Sequence, residues 1–290
     1  MTSPDPHRQS FAALLVEQVR AVGLAVRREA ILAGAALALI LLLSLIMAFK
    51  YDEQLFLVPE LLQPTWLAAI LLPYAVWKSD PIFGRAFLWT LPVRRQRAAA
   101  AKILAGAFWL VIALLVTMAS LALAALLTGG PIGVTETRYV GEGASIAGAA
   151  RVPWSTPLWM WLIPFTSALI LYIFGSAAIV GLRHPIRWVA GIAVGLAMTL
   201  AMAATTGSGG AFDRFLESVH HLILNGSAGL DFMLTGGTDS LSLRLRRLGP
   251  GSDILWRELP SMGRWVWATL VWLGLALLAL ALAIRRHWER

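Results

Sequence analysis

The sequence predicts an all-α polytopic membrane protein: six transmembrane helices, an N-terminal interfacial helix, both termini cytoplasmic, and an enlarged outer loop between helices five and six. Three observations carry this reading. Of 290 residues, 58% are hydrophobic and only 14% charged, a balance far from that of a water-soluble domain. Six segments approach the roughly 20 apolar residues that a helix needs to cross about 30 Å of hydrocarbon. The basic residues gather on alternate connections, as the positive-inside tendency predicts.

The chain opens MTSPDPHRQS, without the apolar core and small-residue cleavage site of a secretory leader, so none is expected. Residues 8–28 place Phe11, Leu15, Val19, Val22 and Val26 near one face at helical spacing, with Glu17, Arg20, Arg27 and Arg28 around them. The pattern fits a helix lying in the inner headgroup region, or a plain cytoplasmic extension of the first span. That span runs from about Ala30 to Phe49. The second, Leu61 to Trp77, carries Pro64 and Pro73, and Pro73 removes a helical hydrogen bond and predicts a kink. The third, about Ile103 to Thr128, and the fourth, about Leu158 to Leu182, are long and unbroken. The fifth, about Trp188 to Thr205, is short and alanine-rich, and the sixth, Trp265 to Ile284, ends on RRHWER.

With both termini inside, the inner segments carry a net charge of +10 and the outer segments −2. Residues 50–60 hold one lysine against Asp52, Glu53 and Glu60. Residues 129–157, rich in Gly, Pro and Thr, predict an irregular outer loop with a short hairpin around TRYV. Residues 206–264 contain FDRFLESVHHLILN, an amphipathic helix by spacing, and SLSLRLRRL, whose alternate leucines suit a helix or a strand. This outer loop is large enough for an external cap or partner surface, and too small to assume a separate core.

Much chemistry is missing. The chain has no cysteine, hence no disulfide or thiolate site. HExxH and GxxxxGK[ST] are absent, which leaves no zinc-protease motif and no phosphate loop. His220 and His221 are adjacent, so their side chains diverge on a helix, and no third metal ligand is set by spacing. NGS at 225–227 matches a glycosylation acceptor, a match frequent by chance. Ser44, Thr117, Ser120, Thr166, Ser167, Ser176 and Thr199 either line a polar path or bond their own helix carbonyls. Gly106, Gly175, Gly191 and Gly195 permit close helix packing. The formal charge of +8 reports orientation first, and no nucleic-acid partner is expected.

The stretch SDPIFGRAFLWTLPVRRQRAAAAK, residues 79–102, stands apart. With Lys78 just before it, the loop holds Arg85, Arg94, Arg95, Arg97 and Lys102. Asp80 and Pro81 suit the cap and first turn of a short helix, and Ile82, Phe83, Phe87 and Leu88 surround Arg85 on it. Leu91 and Pro92 break that helix, and VRRQRAAAAK starts another that can run into span three. Apolar side chains and positive charge on one cytosolic bend make a docking surface, or equally an interfacial anchor that sets orientation.

FLWTLPVRRQRAAAAKILAG, residues 87–106, together with the six-span layout, resembles the permease subunits of ABC-2 type ATP-binding-cassette exporters. Leu91, Pro92, Arg94, Arg95 and Lys102 match the family's run of leucine, proline, short basic cluster and lysine before span three. The resemblance covers nearly the whole chain as one transmembrane domain. It implies a coupling helix over Asp80 to Trp89 that fits a cleft on a separate ATPase, with Asp80, Pro81, Phe83, Arg85, Phe87 and Leu88 as ATPase-coupling residues and Arg94, Arg95, Arg97 and Lys102 as loop anchors. It also implies the partners: ABC ATPase subunits, a second permease subunit, identical or homologous, and membrane lipids. An extracytoplasmic protein at 206–264 is a further candidate. The chain itself would have no catalytic, cofactor or metal residue, and ATP and Mg would belong to the ATPase. Closure of two ATPase subunits would drive the coupling helices together and rearrange two permeases around a central path. Such a drive requires docking that differs between the ATPase states. In the family a short helical hairpin between spans five and six re-enters the membrane from outside, and the connection here is much longer. The expected location is a cell membrane, the cytoplasmic membrane of a bacterium. A non-transporting scaffold or sensor coupled to an ATPase, and an intramembrane enzyme, are the competing functional classes.

Overall fold

In lipid an apolar run must satisfy its own backbone hydrogen bonds, which favours helix wherever no proline or glycine cluster intervenes. The computed structural model describes residues 10–78, 95–141, 150–182, 228–237, 245–247, 254–256 and 259–288, with isolated positions at 148, 187, 218, 223 and 226. Helix α1 is Phe11–Ala25, capped by the Ser10 side chain on the Ala13 N–H at 3.2 Å. A bend at Val26 separates it from α2, Arg27–Tyr51. A 3-10 turn, Pro59–Leu62, leads to α3, Thr65–Trp77, and α4 is Arg95–Leu127. A second 3-10 turn, Leu158–Leu162, opens into α5, Ile163–Gly181. The short α6, Leu230–Thr235, and the long α7, Met262–Trp288, complete the helices among the named elements.

Among the described residues, four segments are long and apolar enough to cross a membrane: Arg27–Tyr51, Gln96–Leu127, Leu158–Gly181 and Met262–Arg285. They coincide with predicted spans one, three, four and six. Predicted span two becomes a 3-10 turn followed by the 13-residue α3, about 20 Å of helix, shorter than the hydrocarbon core. Predicted span five lies outside the described residues.

Contacts fix the helix directions. Trp66 near the start of α3 bonds Ser167 near the start of α5, and Pro73 further along α3 packs on Gly175 of α5. Trp159 stacks on Trp265 at the start of α7, while Gly181 meets Ala283 near its end. Thus α3, α5 and α7 run parallel. Helix α4 runs against them, because Gly106 in its first half meets Tyr172 of α5 and Val76 at the end of α3. α5 is the central helix, buried on most of its surface, whereas α2 buries only Ala48.

The starts of α2 and α4 and the ends of α3, α5 and α7 therefore share one end of the bundle, called the basic end below. It collects Arg27, Arg28, Lys78, Arg95, Arg97 and Arg285. The opposite end carries a four-stranded sheet of order β2-β1-β4-β3, built from β1, Thr135–Val140; β2, Ala150–Ser155; β3, Leu245–Arg247; and β4, Ile254–Trp256. β1 and β2 form the antiparallel hairpin expected around TRYV, with Thr135 opposite Ser155. β4 pairs parallel to β1 through Tyr139 opposite Leu255, and antiparallel to β3. The stretch SLSLRLRRL is strand at 245–247, and the rest of it lies outside the described residues, as does FDRFLESVHHLILN apart from isolated positions. At the same end Leu57 bridges Ile132, tying the loop after α2 to the loop after α4.

Candidate coupling site at the basic end

The loop predicted to couple leaves α3 at Lys78 and returns at α4. The structure shows how its two stems are held. Lys78 donates from Nζ to the Glu29 carboxylate in the first turn of α2. Both partners are partly exposed, and the carboxylate also lies in the N-terminal turn of its helix, where negative charge is favoured. One residue earlier, Trp77 is 9% exposed, and the ammonium of Lys102 lies over its ring, 4.8 Å from the centroid. Lys102 is itself only 6% exposed. An indole face is the strongest aromatic partner for a cation.

A second layer lies beneath that pair. A Cβ at Gly106 would fall 2.0 Å from the Tyr172 hydroxyl, so glycine is what allows α5 to close on α4. There the Tyr172 hydroxyl donates to the Ile103 carbonyl at 3.1 Å, one residue after Lys102. Helix α1 packs along α4 on the other side: the Trp109 indole N–H donates to the Val19 carbonyl at 2.9 Å, and Gly23 leaves room for the same ring. The buried face of α1 carries Leu14, Val22 and Val26, with Leu15 and Val19 half-buried and Phe11 exposed. The predicted stripe is thus present in its second half, shifted toward Leu14 at the start.

Of the predicted coupling residues, Asp80, Pro81, Phe83, Arg85, Phe87 and Leu88 lie outside the described residues, and so does the anchor Arg94. Arg95 opens α4. Arg97 is exposed. Unlike Arg97, Lys102 is buried, against Trp77, and it joins the returning stem to the departing one. Sequence reasoning missed Trp77 and Glu29 here. The signal for Trp77 was its place between an apolar run and a lysine; for Glu29 there was none, since its partner is 49 residues away.

The polar residues of the helices mostly serve themselves. Thr117 donates to Ala113 O, Ser120 to Val116 O, Thr166 to Leu162 O and Ser167 to Ile163 O. Ser167 also accepts the Trp66 indole N–H at 3.1 Å. These four bind their own turns, as serine and threonine in apolar helices commonly do. Gly106 and Gly175 do permit close packing, Gly175 against Pro73. Thr199, Gly191, Gly195, His220 and His221 lie outside the described residues, and no metal-ligand cluster occurs among the described ones.

A scan against protein-family models, a search of curated proteins and a search of solved structures returned no match.

Proposed function

We propose that this chain is the membrane subunit of an ATP-driven exporter of the ABC-2 type, receiving the motion of a separate ATPase through residues 79–94. The observation that carries the reading is the clamp of both stems of that loop. Trp77 and Lys78 on one side, and Lys102 on the other, are tied to each other and to α2, and the adjoining Ile103 carbonyl is tied to the central α5. A force on the loop is passed to four helices at once and is not lost in a slack connection.

The gathering of basic residues at that end supports a cytoplasmic orientation for it by the positive-inside tendency. The parallel course of α5 and α7 supports a further crossing between them, because residues 182–261 must carry the chain back over the length of the bundle. Together these restore an even number of spans with both termini inside. ATP and Mg act in the partner, where nucleotide closure supplies the differential docking that shifts the permease equilibrium. Within this chain Arg85, with Phe83 and Phe87, makes the transmitting contact, Arg97 holds the loop at the headgroups, and a second permease subunit completes the path.

The test is purification from intact membranes with the bound ATPase, followed by ATPase activity with and without this chain. Arg85→Glu is expected to abolish the stimulation while leaving membrane insertion and the fold unchanged. Absence of any nucleotide-hydrolysing partner, or stimulation unaffected by Arg85→Glu, removes the motor or the residue respectively.

A further inference from the structure

Helix α1 packs with one face and leaves a second stripe uncovered. On the packed face Leu14, Val22 and Val26 are buried, and the Trp109 indole of α4 reaches the Val19 carbonyl at 2.9 Å. Away from that face Ala13, Val16, Arg20, Leu24 and Arg27 follow one another at intervals of 3, 4, 4 and 3 residues, the spacing of a single helix side. The bend at Val26 keeps this phase, because the Val26 N–H still bonds the Val22 carbonyl and the Ala30 N–H the Val26 carbonyl, both at 2.9 Å. All five residues are exposed. Val16 is 55% exposed and Leu24 73%, so the fold leaves the stripe bare.

Apolar and cationic side chains alternate along it. Arg20 and Arg27 stand about 10 Å apart along the helix, with Leu24 between them. Among the described residues neither guanidinium has an ion-pair partner: Glu29 is held by Lys78, and Glu17, at the margin of the stripe, pairs with neither. Beyond Arg27 the same side continues into Ile31, 59% exposed, on α2, which buries only Ala48. A phospholipid laid along α2 would cover Ile31 with its acyl chains and bring its phosphate to the arginines, whose planar forks bind phosphate oxygens in pairs. Val16 and Leu24 then enter the boundary between headgroups and chains. Two unpaired cations select net negative charge, which phosphatidylglycerol has and phosphatidylcholine, with its own ammonium, lacks. A second copy meeting this stripe through its own would set the arginines among like charges, with no acid on the stripe to oppose them.

We propose that Val16, Arg20, Leu24 and Arg27 form a binding surface for anionic phospholipid in the leaflet at the basic end, with the two arginines on the phosphates. The inference requires that α2 cross a bilayer and does not rest on the export reading. It also reassigns the side of α1 that meets lipid. Val19, Val22 and Val26, whose spacing suits a helix lying among headgroups, are packed into the core instead.

The test reconstitutes the full chain in nanodiscs of equal parts phosphatidylglycerol and phosphatidylcholine, and counts by native mass spectrometry the lipids that stay bound in mild detergent. Phosphatidylglycerol is expected to be retained over phosphatidylcholine by about five-fold or more, the selectivity that a single cation at an anionic surface supplies. Arg20→Gln with Arg27→Gln should bring the ratio near unity. Arg285→Gln, which removes an exposed cation from the far end of α7, should leave it unchanged. The place of the lipid is read separately by adding one cysteine to this cysteine-free chain. A benzophenone attached at Leu24→Cys is expected to give a phospholipid adduct on illumination. A ratio near unity in the unaltered chain, a ratio that survives the double variant, an equal loss with Arg285→Gln, or an adduct to protein, a second copy included, overturns the proposal.

Discussion

The ammonium of Lys102 rests over the ring of Trp77, joining the last turn of α3 to the first half of α4 across the 24 intervening residues. Both side chains are buried, so the contact is desolvated. A double-mutant cycle of Trp77→Leu and Lys102→Met in detergent is expected to give a coupling of about 1–2 kcal/mol, the range of desolvated cation–π pairs. Thermal unfolding followed by fluorescence reads it, and additive single effects would show that the two merely neighbour each other.

Gly106 and Gly34 make a matched pair for a packing test. A Cβ at Gly106 meets the Tyr172 hydroxyl at 2.0 Å, and one at Gly34 meets nothing within 4 Å. Gly106→Ala should destabilise by about 1–3 kcal/mol, the cost of overpacking. Gly34→Ala should be neutral or stabilise by up to about 1 kcal/mol, because alanine is the better helix former. Tyr172→Phe, which removes the clashing oxygen, should recover part of the Gly106→Ala loss in the same melting assay.

Glu29 and Lys78 form a partly exposed ion pair between α2 and α3. Exposed pairs contribute little and are screened by salt. Glu29→Lys is expected to lower the melting temperature slightly at low ionic strength, the exchange Glu29→Lys with Lys78→Glu to restore it, and high salt to abolish both differences. A loss that persists in high salt would indicate packing in place of charge.

Much of this was legible beforehand because it rests on local rules. Apolar length gives α2, α4, α5 and α7, and proline at 64 and 73 warned that the second hydrophobic run would be irregular. TRYV, β-branched and aromatic between glycine-rich flanks, reads as a strand and is one. What escaped depends on partners distant in the chain. Asp231 falls in the outer loop predicted over 206–264, and only the packing of LDFMLT against α5 and α7 reveals its burial. Lys102 looked like one basic anchor among four, since nothing in RQRAAAAK tells which cation meets the indole 25 residues earlier. The parallel pairing of β1 with β4 joins residues more than a hundred apart and has no local signature.

Sidedness is open to the same chemistry. On sealed cells, an impermeant thiol reagent should label Glu53→Cys directly and Arg97→Cys only after permeabilisation, both positions being exposed. Labelling of Arg97→Cys on sealed cells would invert the bundle and detach the basic loop from any cytosolic motor.

The mixed sheet has a bearing on the order of assembly. The β1–β2 hairpin completes itself from neighbouring residues, while the edge of β1 that receives β4 waits for a strand made just before the final helix. During synthesis the edge at Tyr139 and Val140 has no strand partner, and long-range strand closure is slow. A chain ending before residue 254 would keep that edge open for good, which makes stalled or clipped copies of this protein prone to pair edge to edge with one another.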